Sequence, residues 1–257
     1  CLMGQTGPMN MYPGFGNLAG ALSGFYEITG WPDRAPAGPF LAYTDYTAPR
    51  FTATALLAAV DHRNRTGEGA YIDLSQHESA LHLLGPALLD QAVNGRTATR
   101  SGNISDRYAV HGVYPTVGDD KWVAIVCQDE AAQEELSELI GSTQLDDSAI
   151  AEWASSQDRF ELQELLQSRG IAAHVVADSE DALADPQLTH RNHFRWVPQA
   201  YSGETCIEGS HYQMSRTPSE ALWGGPPIGE HTFEVLSEML GYSSDKIADL
   251  AAAEALY

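Results

Sequence analysis

Lysine is scarce in this sequence, and positive charge as a whole is in short supply. The 257 residues include two lysines, Lys121 and Lys246, and the 14 basic side chains are outnumbered by 35 acidic ones. The formal net charge of −21 argues against a nucleic-acid partner and against an anionic membrane surface, because both need a basic footprint. An anionic ligand must therefore bind at a local positive site or at backbone N–H groups.

Cysteine is also rare, and long apolar runs are missing. Cys1, Cys127 and Cys206 are widely spaced and odd in number, so they predict neither a disulfide framework nor a metal knuckle. No apolar run has the length of a membrane span, and no basic segment followed by an apolar one indicates a signal peptide. These absences favour a cytoplasmic protein. The hydrophobic content of 43% is that of a globular chain.

General catalytic motifs are absent as well. The sequence has no phosphate-binding P-loop, no Gly-x-Ser-x-Gly nucleophile elbow and no His-Glu-x-x-His metal helix. His190 and His193 form a His-x-x-His pair, but the sequence suggests no third ligand beside them. We therefore expect no metal site.

Apolar periodicity and turn residues predict a mixed α/β chain with two lobes and a linker near residue 100. The turn Val117–Asp120 separates two β-rich segments and predicts a hairpin. Ser75 and Glu78 have the spacing of a helix capping box, and Pro86 is expected to kink the helix that follows. Strands are predicted at 70–74, 110–116, 121–127, 171–176, 193–198 and 208–214. Helices are predicted at 18–28, 46–64, 75–94, 129–140, 147–154, 156–168, 180–184, 231–240 and 244–256.

Asp45 is the residue with the clearest catalytic potential. It follows a Pro- and Gly-rich segment and precedes the predicted helix 46–64. One interpretation is structural, because aspartate is a favoured helix N-cap. The other is chemical: a carboxylate that a helix N-terminus keeps ionised can act as a nucleophile. The local sequence leaves both interpretations open.

Several short segments along the whole chain carry glycine, proline and charged residues at characteristic spacings. They are Gly4–Pro8, Ser23-Gly24, Thr29-Gly30, Asp45, Arg63–Gly69, Gly170–Val176, Asp185–Leu188, Pro227–Thr232 and Val235-Leu236. In order and spacing this set resembles the class III coenzyme A transferases, the family of formyl-CoA transferase and carnitine CoA-transferase. One departure is Ala70, which stands where that family usually has glutamine.

The resemblance implies a fold and a partner. The fold is α/β, of the class III CoA-transferase type, with a partial large domain over 1–100 and a small α+β domain over 101–190. A C-terminal segment over 191–257 returns to the large domain. The Rossmann-like N-terminal part of the family has no counterpart in this sequence, so we expect an N-terminal half or subunit as a partner. The complete protein is expected to be an interlocked homodimer.

The resemblance also implies a chemistry. Asp45 stands at the position of the family's catalytic aspartate, which forms covalent anhydride and thioester intermediates. The substrates are an acyl-CoA thioester and a carboxylic acid, coenzyme A enters as a substrate, and no metal takes part. Gln76 lies at a position that borders bound CoA in formyl-CoA transferase, although it can also be a surface residue of a helical turn. Gly112 is the glycine of the stretch 108–114, which corresponds to a family loop that covers the intermediate.

Two other functions are compatible with the sequence. Related acyl-CoA racemases use a histidine and an aspartate, but Phe15 occupies the position of that histidine and cannot act as a base. The third possibility is a non-catalytic structural module of a CoA-transferase assembly. The identities of the acyl donor and the acceptor cannot be deduced from the sequence.

Overall fold

The structure is a computed structural model that describes residues 1–220 and 223–256. The chain forms two compact units, Cys1–Val176 and Ala177–Tyr257. This division lies at a different place from the sequence-based domain boundaries near residues 100 and 190, which stay predictions. No helix in the described part of the chain is long and apolar enough to cross a membrane.

The first unit begins with helices. They are α1 (Gly16–Leu22), α2 (Phe25–Ile28), α3 (Tyr43–Thr66), α4 (Gln76–Leu83) and α5 (Gly85–Asn94). A small cluster of Phe25, Ala80 and Leu84 holds α2 and α4 together. The predicted helix 18–28 is interrupted because Gly24 adopts a left-handed conformation with φ 97°. Pro86 lies in the first turn of α5, so the predicted kink is a break between two helices.

The predicted strand 70–74 is wrong. Residues 70–75 have no regular secondary structure, and their contacts are made with the beginning of the chain. The Cys1 amino group donates to the Leu74 carbonyl at 2.9 Å, and the Gln76 N–H donates to the Cys1 carbonyl at 2.9 Å. A strand needs a ladder with a neighbour, and apolar β-branched residues alone do not supply one.

The second half of the first unit is a three-stranded antiparallel sheet covered by helices. Its strands, in the order β1-β2-β3, are β1 (Val110–Pro115), β2 (Trp122–Cys127) and β3 (Ala172–Val175). The helices are α6 (Glu130–Ile140), α7 (Asp147–Ala154) and α8 (Arg159–Ser168). Side chains from all these layers, such as Ile125, Leu136, Ile150 and Leu162, are almost completely buried. The core of the unit therefore lies between the sheet and these helices.

Side-chain capping sets the beginnings of these helices. The Asp158 carboxylate accepts hydrogen bonds from the N–H groups of Phe160 and Glu161, so α8 starts at Arg159 and not at the predicted residue 156. Asp129 caps α6 in the same way through the N–H of Ala132. The acidic caps also place negative charge at the positive end of each helix dipole.

The second unit contains short elements. They are α9 (Ser179–Ala184), α10 (Pro186–His190), β4 (Phe194–Gln199), β5 (Gly203–Glu208), α11 (Thr232–Glu234), a π-helical turn (Val235–Met239) and α12 (Ser244–Ala252). The predicted strand 208–214 is wrong, because β5 begins five residues earlier. Gln199 pairs with Gly203, and Gly203 has a φ of 78°. The three residues between them, 200–202, therefore form the turn of the β4–β5 hairpin.

Candidate active site

Asp45 lies in the first turn of α3, with its side chain exposed. It is not the helix N-cap. That position belongs to Ala42, whose carbonyl accepts a hydrogen bond from the Asp45 N–H at 2.8 Å. The structural interpretation of Asp45 as a cap is therefore wrong, and the carboxylate is not used to hold the helix end.

Gly16 lies directly against the Asp45 carboxyl group. A Cβ atom on Gly16 would be 2.7 Å from the Asp45 Cγ and Oδ2 atoms and 2.8 Å from the Ala42 Cβ. Cβ atoms do not approach other heavy atoms that closely, so a larger residue at this position would displace the Asp45 carboxyl group. Gly16 is also the first residue of α1. The carboxyl group of Asp45 thus meets bare backbone at the start of a helix.

Thr44 connects the elements around Asp45. Its side chain is fully buried, and its hydroxyl lies 3.0 Å from the Gly16 carbonyl oxygen and 3.3 Å from Gln76 Oε1. Because α3, α1 and α4 each contribute one of these residues, the hydroxyl joins three helix beginnings. The sequence analysis missed Thr44, and its residue type carries no signal of this role.

Gln76 is the first residue of α4 and is half-buried. Its contact with Thr44 brings it to the same corner of the fold as Asp45, in agreement with their joint prediction as site residues. Ser75 caps this helix by accepting a hydrogen bond from the Glu78 N–H at 3.3 Å. The cap fixes the direction in which the helix presents Gln76.

The backbone just before Asp45 is conformationally unusual. Leu41 has a φ of 53°, a left-handed conformation that costs a non-glycine residue about 1–2 kcal/mol. The Tyr43 N–H donates to the Leu41 carbonyl at 3.0 Å, which turns the chain sharply into α3. Strained backbone of this kind is concentrated at functional sites.

Gly112 lies elsewhere in the unit. It belongs to β1, where it is paired with Ile125, so the stretch that was compared with a covering loop is a strand. A Cβ on Gly112 would be 2.6 Å from the Tyr114 hydroxyl oxygen. Gly112 lines a groove of about 540 Å³ whose lining includes neither Asp45 nor Gln76. The structure therefore brings together two of the three predicted site residues.

Two of the groups with raised pKa values lie on β1 and β2. Burial raises the pKa of Tyr114, and its hydrogen bond to Asp147, at 2.9 Å, raises it further. Burial also raises the pKa of the Cys127 thiol to about 11, which makes this cysteine a poor nucleophile. Neither group is placed to act as an acid or base near neutral pH.

The histidine pair of the sequence does not gather a metal-ligand set. The His193 ring stacks on the His211 ring, with centroids 5.7 Å apart. Over residues 1–220 and 223–256, no group of three His, Cys, Asp or Glu side chains is placed to hold a metal ion. Phe15, at the racemase histidine position, is 86% exposed and offers no titratable group.

Comparisons with known proteins identify what this arrangement is similar to. The sequence profile described as "CoA-transferase family III" matches residues 2–232. Succinyl-CoA--D-citramalate CoA-transferase of Chloroflexus aurantiacus is 28% identical over 97% of this chain and 66% of its own length. Succinyl-CoA:mesaconate CoA-transferase of Haloarcula marismortui is 30% identical over 88% of this chain and 61% of its own length. The chain thus spans less than two thirds of these relatives.

A solved structure has the same fold. The crystal structure of a CAIB/BAIF family protein from Brucella suis superimposes with a TM-score of 0.83, covering 93% of this chain and 66% of that protein at 23% sequence identity. This similarity confirms the predicted α/β fold class.

Proposed function

The chain belongs to CoA-transferase family III, and on this premise we propose that its protein transfers coenzyme A from an acyl-CoA thioester to a carboxylic acid, with Asp45 as the nucleophile. The observation that carries the proposal is the contact between the Asp45 carboxyl group and the bare backbone of Gly16. A carboxylate that caps no helix and faces a site without a neighbouring side chain is free to react.

The reaction divides into four exchanges at three carbonyl carbons, those of the donor acyl group, Asp45 and the acceptor acid. The Asp45 carboxylate attacks the acyl-CoA carbonyl, which expels CoA thiolate and leaves a mixed anhydride. The thiolate then attacks the Asp45 carbonyl, releasing the donor acid and forming an aspartyl-CoA thioester. The acceptor carboxylate attacks the carbonyl of that thioester, which expels CoA thiolate and forms a second anhydride. Finally the thiolate attacks the acceptor carbonyl, which releases the new acyl-CoA and regenerates Asp45. All intermediates are activated acyl groups, so no single step has a large unfavourable free-energy change.

Each exchange passes through an oxyanion that needs hydrogen-bond donors. Gln76 can supply one, because Thr44 holds its side chain at the same corner as Asp45. We assign Gln76 and Gly112 to the binding of CoA, and coenzyme A is a substrate that needs no metal for this chemistry.

Partners are proposed from the apolar surface of the helices. Leu57 on α3 is 71% exposed, and Leu89 and Val93 on α5 are 65% and 77% exposed. Large exposed apolar side chains on a helix are typical of a surface that another polypeptide covers. We propose that this polypeptide is an N-terminal half or subunit and that the complete protein is a homo-oligomer. We also propose a cytoplasmic location, because all three cysteines are free thiols.

Hydroxylamine trapping tests the proposal. Hydroxylamine converts an aspartyl anhydride or thioester into a hydroxamate, which mass spectrometry locates on a peptide. Succinyl-CoA is the first donor to try, since the relatives named above are described as using it. We expect a hydroxamate on Asp45 in the complete assembly and none in Asp45→Asn. CoA transfer without modification of Asp45 would refute the nucleophile, and an assembly that binds CoA but transfers nothing would indicate a structural module.

A further inference from the structure

The free edge of β1 is a binding surface that the proposed reaction has not yet used. β1 is an outer strand of the sheet, since the strand order is β1-β2-β3. The groove of about 540 Å³ runs along this strand and is lined by residues from Ala109 to Pro115, and no residue of β2 lines it. The groove therefore lies on the side of β1 that faces away from its ladder partner.

The ladder register shows which backbone groups enter this groove. The Thr116 N–H donates to the Lys121 carbonyl at 2.9 Å, and the register pairs Tyr114 with Val123 and Gly112 with Ile125. In an antiparallel ladder every second residue bonds to the partner strand. The even-numbered residues therefore face β2, and His111, Val113 and Pro115 direct their backbone groups outward.

The outward groups are two N–H donors, from His111 and Val113, and three carbonyl acceptors, from His111, Val113 and Pro115. None of them is hydrogen-bonded to another of the described residues in the turns, loops and side-chain contacts of the chain. Unpaired backbone groups at a sheet edge recruit an extended partner. Here they lie inside a groove of the size that small-molecule ligands occupy.

The ends of the edge limit the length of that partner. Pro115 has no N–H, so the row of donors stops there. At the other end, the Ser105 N–H donates to His111 Nε2 at 2.7 Å, which folds the preceding loop over the strand. A two-donor edge is too short for a peptide strand, which needs a longer ladder to pair stably, but it fits a ligand with two amides.

The rest of the described lining includes the Trp31 ring and carries no positive charge. Trp31 is half-exposed in the groove lining, and a Cβ on Gly102 would be 3.0 Å from its Cδ1 atom. Asp147 is the carboxylate of the lining, and the described lining contains no arginine or lysine. The groove therefore disfavours the phosphates of a nucleotide and suits an uncharged, extended molecule.

We propose that the β1 edge binds the pantetheine arm of the acyl-CoA, with its two amides hydrogen-bonded to the backbone of His111 and Val113. The proposal rests on the CoA-transferase function given above. The arm carries two N–H and two carbonyl groups in an uncharged chain, which matches the two donors and three acceptors of the edge.

Amide NMR of the ¹⁵N-labelled chain tests this inference. Pantetheine, added up to its solubility limit, is expected to shift the His111 and Val113 amide signals, whereas its analogue with both amides replaced by esters should shift them far less. Val113→Pro removes one outward N–H and leaves the ladder bonds intact, so it should weaken pantetheine binding about tenfold. Val113→Ala shortens the same side chain but keeps the N–H, so as the matched control it should bind pantetheine more tightly than Val113→Pro does.

Three outcomes decide the matter. The inference is overturned if pantetheine at its solubility limit does not shift the His111 and Val113 amide signals. It is also overturned if the ester analogue binds as well as pantetheine. The same holds if Val113→Pro, shown to be folded by its amide dispersion, binds pantetheine normally. Hydroxylamine trapping at Asp45 is a separate measurement. A hydroxamate on Asp45 without shifts of the His111 and Val113 amide signals rejects only the pantetheine site. Amide shifts without a hydroxamate reject only Asp45 as the nucleophile.

Discussion

Replacing Gly16 by alanine is the sharpest structural perturbation of the site. The added methyl would lie 2.7 Å from the Asp45 Cγ and Oδ2 atoms and 2.8 Å from the Ala42 Cβ. Ordinary contacts begin near 3.4 Å, so the carboxyl group must move by at least 0.7 Å, the difference between these two distances. A displacement of about 1 Å at a reacting group costs about 100-fold in rate.

Stability should change much less than rate. Gly16 is not in a left-handed conformation, so alanine is compatible with its backbone, and Asp45 is exposed and can rotate away. We expect overpacking of about 1–3 kcal/mol, partly offset by the better helix propensity of alanine, about 0.5–1 kcal/mol. Thermal unfolding measures the change in stability. The rate of CoA transfer or of hydroxamate formation measures the change in catalysis.

Gly20→Ala is the matched control, because Gly20 lies in the same helix. A Cβ there would have its nearest contact at 3.5 Å, with Tyr26 Cε2, which is an ordinary van der Waals distance. This variant should keep the native rate. If Gly16→Ala is folded and transfers CoA at the native rate, the contact between Gly16 and the Asp45 carboxyl group is irrelevant to function.

Three further predictions concern buried groups. Thr44→Val should destabilise the chain by about 1 kcal/mol in chemical denaturation, because it removes a buried hydroxyl that contacts the Gly16 carbonyl and Gln76 Oε1, whereas Thr44→Ser should retain most of that stability. Iodoacetamide near neutral pH should alkylate the exposed Cys1 and spare Cys127, as peptide mass analysis would show. The unfolded Cys127 thiol ionises first as the pH rises, since its folded pKa is raised to about 11, so stability should fall from the ordinary thiol pKa up to that value, by at most about 1.4 kcal/mol per pH unit. Cys127→Ala should make that decline shallower. Tyr114→Phe should cost about 1 kcal/mol, the net value of its hydrogen bond to Asp147.

Local signals predicted much of the second half of the first unit. The Val117–Asp120 turn indicated the hairpin that β1 and β2 form, and the helices predicted at 129–140 and 147–154 correspond to α6 and α7. These features depend on neighbours in sequence, so a local pattern is enough to find them. Residues 70–74 resemble a strand equally well, but strand formation depends on a distant partner, which the pattern does not contain.

The same distinction between local signals and distant contacts applies to the residues of the site. The resemblance to the class III CoA-transferases predicts Asp45 and Gln76 as site residues, and the structure places them near each other through Thr44. Thr44 and the close approach of Gly16 were missed, because they arise where three helix beginnings meet. Gly112 was compared with a loop by alignment of motifs, and only the ladder with Ile125 showed that it belongs to a strand.

Oxygen-isotope transfer tests the nucleophile most directly. In the proposed sequence the acceptor acid attacks the aspartyl-CoA thioester, and the oxygen that joins the two carbonyl carbons stays on Asp45 when the thiolate attacks the acceptor carbonyl. With an ¹⁸O-labelled acceptor acid, the assembly that transfers CoA should therefore incorporate ¹⁸O into the Asp45 side chain, as the mass of its peptide would show. Formation of labelled acyl-CoA with no ¹⁸O in Asp45 would contradict the account.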